Sequence, residues 1–299
     1  MLNEMREGRL SSESISKFRS LSRPLHFDDN IEATELFPTR VEVEDANMKR
    51  MRSLQGDVRY YEARDGGTIS EKTFRDKLLA NCMAPESLIL KKGAQVMLIK
   101  NIDESLVNGS LGKVVGFMSE DCFDNYRRNE EEYYATQANP DNKIDGPAEL
   151  SERKLKIQEL MAGTARIYPV VRFMLHDGTT RDLLVQHEIW TIELPSGEVQ
   201  ASRTQLPLIL AWALSIHKAQ GQTLERVKVD LRKVFEKGQA YVALSRATNM
   251  AGLQVMSFDP SKVIAHDRVR NFYASLSRAE AEEGQEKPAK KIKRFLLTE

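Results

Sequence analysis

The sequence predicts an α/β protein whose largely parallel sheet layer is interrupted by a small antiparallel β-barrel. Three observations carry that prediction. Before residue 88, strand-type and helix-type runs alternate, as they do where helices connect parallel strands. Between residues 88 and 206, short β-type runs follow one another with turn signals between them. After residue 206 the alternation returns. The α/β layer is therefore expected to start before the barrel and to be completed after it.

The chain of 299 residues is long enough for about two domains. Hydrophobic residues make up 41% and charged residues 29%, an ordinary composition for a chain that buries cores. Lys plus Arg number 44 and Asp plus Glu number 44, so the formal net charge is zero. Bulk charge gives no argument for nucleic acid, and any such contact must come from a local surface. The two cysteines, Cys82 and Cys122, form no CxxC pair, and the five histidines do not cluster with them. Neither a metal site nor a disulfide framework is expected, and a reducing compartment fits: nucleus, cytosol or mitochondrial matrix. No apolar run reaches the roughly 18 residues of a membrane-crossing helix, so no membrane partner is expected. The N-terminus resembles neither a signal peptide nor an Arg-rich transit peptide. It opens on MLNEMREGRL, which reads as the middle of a helix, as a fragment or a truncated gene model would.

Taken in order, Leu2, Met5, Ile15 and Phe18 stand at helical spacing within one or two short polar helices up to Leu21. Thr34 to Pro38 reads as extended and leads to Thr39-Arg40. Val41 to Leu54 carries Val43, Ala46, Met48 and Met51 between charges, as a surface helix does. Arg59 to Ala63 is expected as a strand and Glu71 to Met83 as a helix. Leu88 to Leu90, Gln95 to Ile99 and Lys113 to Phe117 are β-type, with a turn at Asn108-Gly109. Tyr168 to Leu175 and Arg181 to Val185 form a hairpin-like pair around His176 to Thr179. Glu188 to Leu194 and Gly197 to Ala201 add two further barrel strands around Pro195-Ser-Gly. Ser119 to Gly163 is polar and reads as a mobile insertion, with a possible helix from Ala148 to Met161. Strands are expected over Leu208 to Leu214, Val227 to Leu231 and Leu253 to Phe258. Helices are expected over Gly238 to Ala247 and Ala265 to Leu276, and the tail beyond is polar and ends basic.

Three segments carry chemistry. Gln205 to Leu224 opens as a buried strand and then breaks into Ser215, His217, Lys218, Gln220, Gly221, Gln222 and Thr223. Ser215 is placed to cap a short helix. Polar groups at the C-terminal end of a parallel strand lie where open α/β sheets bind ligands, and a helix N-terminus there attracts phosphate. In Gly238 to Ala247, Gln239 and Arg246 sit among the small apolar residues Ala240, Ala243 and Ala247. A long cation there either snorkels to water or meets an anion. In Thr34 to Arg40 the arginine directly follows a strand. Each segment alone also admits a structural reading: a glycine turn, a surface arginine, a strand-end cation. Together they are expected to place Arg40, Thr223 and Arg246 along one edge of one sheet.

On these residues the chain resembles a known family. Leu36-Phe-Pro-Thr-Arg40, Leu214-Ser-Ile-His-Lys-Ala-Gln-Gly-Gln-Thr223 and Tyr241-Val-Ala-Leu-Ser-Arg246 are similar to the later motifs of superfamily-one helicases. The likeness is to the Pif-one-like, RecD-related branch of the 5′-to-3′ DNA helicases. It runs from Leu2 to about Leu276, and Lys92-Gly-Ala-Gln-Val-Met and Val107-Asn-Gly-Ser-Leu-Gly112 resemble the family's inserted SH3-like domain. The resemblance implies a RecA-like second motor domain of the P-loop-NTPase type, interrupted by that β-barrel. Residues 1–22 would be a remnant of the first motor domain and its linker. Residues 23–90 and 207–276 would be the two parts of domain 2A, and 91–206 the inserted 2B domain with a disordered insertion at 119–163. Residues 277–299 would be a basic disordered tail.

The resemblance also implies roles. Arg40 and Arg246 would be catalytic, reaching the γ-phosphate of ATP as arginine fingers. Gln239 and Gly221 would lie on the nucleotide side. Ser215, His217, Lys218 and Thr223 would meet the single-stranded DNA backbone without reading sequence. ATP and Mg would be the cofactors, single-stranded and duplex or structured DNA the partners, and the protein a monomer in the nucleus, the mitochondrion or both. One departure stands out. The family needs a phosphate-cradling GxxxxGK[ST] loop, and none is found: Gly112-Lys113 is followed by Val114. That loop and the Mg ligands are expected in a missing first motor domain, so ATP turnover by the isolated chain is doubtful and a catalytically inactive DNA-binding fragment is the alternative.

Overall fold

The computed structural model describes residues 1–27, 29–137, 166–175 and 177–276, the side chains of 129–137 excepted. They form two compact units. One combines Met1–Phe27, Glu32–Glu44 and the chain from Ala213 onward; the other is essentially Asp45–Trp212.

The first unit is built on a parallel sheet of four short strands in the order β12-β1-β13-β14, with β1 Thr34–Phe37, β12 Ala213–Ser215, β13 Val227–Asp230 and β14 Leu253–Met256. Glu35 pairs with Ala213 on one side, and Leu36 with Val229 on the other. Val227 and Val229, two apart on one face of β13, are fully buried, while Lys228 and Asp230 on the other face are half-buried. Helix α3, Arg40–Ser53, follows β1. Thr39 caps its start: Oγ1 accepts from the Glu42 amide at 3.4 Å and donates to Glu42 Oε2 at 2.8 Å. Helix α6, Gln239–Leu244, returns the chain toward β14, and a closing helix covers 267–276.

Residues 1–22 pack within this unit. Helices α1, Leu2–Glu7, and α2, Ser12–Ser20, bury Met5 and Phe18. Phe18 stacks on Phe258 at 5.1 Å, and the Val255 amide donates to the Leu21 carbonyl. Glu4 ties the two helices, accepting from the Ser11 amide at 2.7 Å and from Ser14 Oγ at 3.0 Å.

The second unit is antiparallel, in three sheets. Five strands run in the order β11-β5-β6-β7-β8: β11 Leu208–Leu210, β5 Gln95–Leu98, β6 Leu111–Met118, β7 Tyr168–Met174 and β8 Thr180–Leu184. A second sheet orders β3 Arg64–Gly66, β10 Val199–Gln205 and β9 Glu188–Glu193; a third pairs β2 Arg59–Glu62 with β4 Ser87–Leu90. Helix α4, Lys72–Leu79, is shorter than expected at both ends. The strands on either side of Pro195 thus pair with each other, and β10 also with β3, in a sheet separate from that of β7 and β8. Leu90, Val96, Leu106, Phe173, Leu206 and Trp212 belong to one core. Trp190, on β9, faces Lys100 at 5.4 Å.

Three expectations are corrected. The strand expected over Leu208 to Leu214 is two strands in two units. Gln95 causes the break: its carbonyl accepts from the Ala211 amide at 2.9 Å and its Nε2 donates to the Ala211 carbonyl at 3.1 Å. The junctions expected at residues 90 and 206 fall instead at 44/45 and 212/213, because Met51 of α3, Tyr61 and Leu88 join the antiparallel core. The insertion expected over 119–163 begins with an ordered helix, α5, Glu120–Gln137. Ser119 Oγ accepts from the Cys122 amide, and Phe123 is buried against Val170 and Leu184. The helix expected over 148–161 and the tail 277–299 lie outside the described residues.

Candidate functional site

Two adjacent strand ends of the parallel sheet carry most of the candidate residues. Strands β1 and β12 run side by side, with Phe37 opposite Ser215, and the Ile216 amide donates to the Phe37 carbonyl at 2.9 Å. Thr39-Arg40 therefore leaves the sheet beside Ile216-His217-Lys218. Arg40 is exposed and makes no hydrogen bond or ion pair among the described residues. Glu42, two residues further along the same helix, lies 3.5 Å from Lys233 Nζ, which also stands 4.4 Å over the Phe37 ring. Lys233 belongs to the turn Leu231–Lys233 after β13. Asp230 begins that turn, and hydrogen bonds from Arg232 hold its carboxyl below the usual carboxylate range.

No helix follows Ser215. Residues 216–221 form a series of turns, closed by Ala219 N–H to the Ser215 carbonyl and Gln222 N–H to the Ala219 carbonyl. The expected cap bond is present, from the Lys218 amide to Ser215 Oγ at 3.2 Å, but Gly221 at φ 82° ends the turn before a helix can propagate. Open space surrounds the position where a Gly221 Cβ would stand, so backbone conformation and not close approach of a group requires this glycine. Ser215 is 4% exposed and its hydroxyl is engaged, so it shapes the turn and is corrected from its expected place on the DNA surface. His217 is exposed, with Nε2 3.5 Å from Glu236 Oε2, and Thr223 is exposed.

Gln239 is 4% exposed. Its Oε1 accepts from the Phe235 and Glu236 amides at 3.2 and 3.4 Å, fixing the loop beside His217, while Nε2 has no partner among the described residues. Arg246 is half-buried and folded back on its own helix. Nε donates to the Val242 carbonyl at 3.0 Å, Nη2 to Ser245 Oγ at 2.9 Å, and Nη1 to the Gln222 carbonyl at 3.3 Å. The main chains are also joined here: Leu224 N–H donates to the Arg246 carbonyl, and Leu224 bridges Ala247.

Arg40 and His217–Lys218 follow strand ends, whereas Thr223 and Arg246 lie on the stretches that lead into β13 and β14. Sequence reasoning missed the residue between the two groups, Gln222, which is 5% exposed and whose Oε1 and Nε2 both lack partners among the described residues. A glutamine inside a polar run gives no sign that it is buried. Glu236 was missed for the same reason: its partner lies far along the chain.

The sequence is similar to known proteins over nearly all its length. Residues 73–117 match the 2B domain of DNA helicase Pif1. An ATP-dependent DNA helicase PIF1 of Emericella nidulans is 57% identical over 93% of this chain and 38% of its own length. The solved Pif1 helicase of Candida albicans is 44% identical, with a TM-score of 0.65 over 92% of this chain and 56% of that one. A Bacteroides Pif1 bound to single-stranded DNA shares the fold at 22% identity, with a TM-score of 0.51 over 95% of this chain and 53% of that one. The chain thus spans about two-fifths of the length of the curated relatives it matches. With the family's 2B signature inside the antiparallel unit and this identity over both units, the chain belongs to the Pif1 family of helicases.

Proposed function

We propose that this chain is the C-terminal, second-motor half of an ATP-dependent DNA helicase that moves 5′ to 3′ on single-stranded DNA and unwinds duplex. The observation that carries the reading is the turn bearing exposed His217 and half-buried Lys218 beside the unpartnered guanidinium of Arg40. Donor-rich side chains at adjacent strand ends suit phosphate oxygens, and backbone contacts of this kind hold a strand without reading bases. The relatives' names, ATP-dependent DNA helicase, support the activity, and the Bacteroides protein's bound strand supports the partner. In this reading the antiparallel unit is the inserted SH3-like 2B domain. Genome and telomere maintenance, repair and recombination in the nucleus or mitochondrion are the roles that the family resemblance suggests.

The residues present fit a nucleotide phosphate in their chemistry: Arg40 is free to donate, and Gln239 Nε2 is a buried donor without a partner. ATP supplies the phosphoryl group whose transfer drives movement. Arg40 would neutralise charge on the outermost phosphate, its planar fork meeting two oxygens at once. Arg246 would do the same once turned away from Val242. His217, Lys218 and Thr223 would grip the strand. Mg ligands are proposed for the first motor domain.

A second reading is a DNA-binding fragment without catalysis, since these 299 residues by themselves contain no GxxxxGK[ST] loop. Two measurements test both. The purified chain should bind oligothymidylate, and by itself should hydrolyse ATP far below about one turnover per second. Co-expressed with a phosphate-loop motor domain, it should gain DNA-stimulated turnover. Absence of strand binding would overturn the helicase reading and the fragment reading together; binding without any gain of turnover would leave the fragment.

A further inference from the structure

A buried amide without partners needs an explanation, because native proteins rarely leave one. Gln222 is 5% exposed, and neither Oε1 nor Nε2 has a hydrogen-bond partner among the described residues. Methionine or leucine would fill the same space without that cost. The residue's place suggests why an amide stands there. Upstream, its amide N–H closes the turn on the Ala219 carbonyl, directly after His217 and Lys218. Downstream, its carbonyl accepts from Arg246 Nη1 at 3.3 Å. One residue thus joins the turn proposed to hold the strand and the arginine proposed to meet the nucleotide. Arg246 meanwhile is turned back on Val242 and Ser245.

We propose that Gln222 is a positioning residue that couples occupation of the Ser215–Thr223 turn by a strand phosphate to the placement of Arg246. In the arrangement seen here the side chain is buried and unsatisfied, so an alternative arrangement of the turn that gives the amide partners is favoured by that much. A phosphate held by His217 and Lys218 selects the alternative arrangement. The Gln222 carbonyl moves with the turn, Nη1 loses its acceptor, and the guanidinium leaves Val242. Gln239 cannot serve in this way, because its Oε1 already holds two amides. The inference rests on the strand-binding reading given above.

The test uses the whole chain, nitrogen-15 labelled at arginine, with oligothymidylate as probe. The Nε–H resonance of Arg246 is assigned by its loss in Arg246→Lys. In the parent, oligonucleotide should bind and shift that resonance. In Gln222→Met, affinity should fall about fivefold or more, the Arg246 resonance should no longer respond even at saturating oligonucleotide, and Tm should be unchanged or higher, since an unmet amide has been removed. If the parent binds no oligonucleotide, the strand-binding reading fails and this inference fails with it. If the parent binds but the resonance stays still, or moves equally in Gln222→Met, the inference alone is overturned. A Tm drop beyond about 5 °C in Gln222→Met would show an amide bonded for structure, and would overturn it too. The parent's own response keeps the question decidable even if the variant folds poorly.

Discussion

Arg40 and Arg246 look alike in the sequence but stand in different physical situations. Arg40 has no bond to lose among the described residues, so Arg40→Ala should leave Tm within experimental error. Arg246 donates to two carbonyls and a hydroxyl, so Arg246→Ala should cost about 1–3 kcal/mol in denaturant titration. With a phosphate-loop motor domain supplied, each substitution should lower turnover about a thousandfold while the ATP Michaelis constant changes little. Arg→Lys should cost substantially as well, because the fork is lost while the charge is kept. A variant that turns over at the parent rate would reduce that arginine to a structural role. His217→Ala combined with Thr223→Ala should weaken oligonucleotide binding about equally for different sequences; loss confined to one sequence would contradict backbone contact.

At the scale of elements, helix α5 and the entry to β14 make the sharpest claims. Phe123→Ala should destabilise the antiparallel unit by about 3 kcal/mol, since its ring is buried against Val170 and Leu184. A neutral result would return the segment to the mobile insertion its composition suggested. Gly252→Ala should be worse tolerated than most glycine changes. An added Cβ would stand 1.7 Å from the Glu225 carbonyl oxygen, so strand β14 would have to move from β13. These elements also show what the sequence could reveal. Alternating apolar runs with turn residues between them exposed β1, β5, β6, β7 and β13 because their signals are local. The break at Ala211 was invisible: an unbroken apolar run does not show that Gln95, 116 positions earlier, has captured the backbone. Helix α5 was missed because two aromatic residues, Phe123 and Tyr126, one helical turn apart, supply its buried face on an otherwise charged surface. The site residues were legible as types, but the turn after β12 ending at Gly221 and never becoming a helix was not, since it depends on one backbone angle that composition does not show.

At the scale of the whole molecule, the balance of 44 basic and 44 acidic residues removes long-range attraction to DNA. Strand affinity should then rest on His217, Lys218 and few others. The slope of log affinity against log salt should be no steeper than about −2 for a single strand. A much steeper slope would reveal a second cationic surface. Acid should reach the parallel unit through Glu4, whose carboxyl is lowered from 4.5 to about 2 by hydrogen bonds from Ser11 and Ser14. A carboxyl with a depressed folded pKa stabilises the fold fully above its unfolded value and loses that contribution as pH falls through the folded one. Glu4→Gln should therefore lower Tm at neutral pH, with the gap to the parent closing between pH 4.5 and about 2; a gap independent of pH would refute the linkage. The placement of the two tryptophans decides how such experiments are read. Trp190 and Trp212 are the only tryptophans in the sequence, and both belong to the antiparallel unit. Indole emission during unfolding thus originates in that unit alone, while the unit bearing Arg40, His217 and Arg246 is spectroscopically silent at those wavelengths. Replacing Phe258, which already stacks on Phe18, with tryptophan in a chain whose Trp190 and Trp212 are changed to phenylalanine would move the only fluorophore into the silent unit, so that each half could be followed by its own variant.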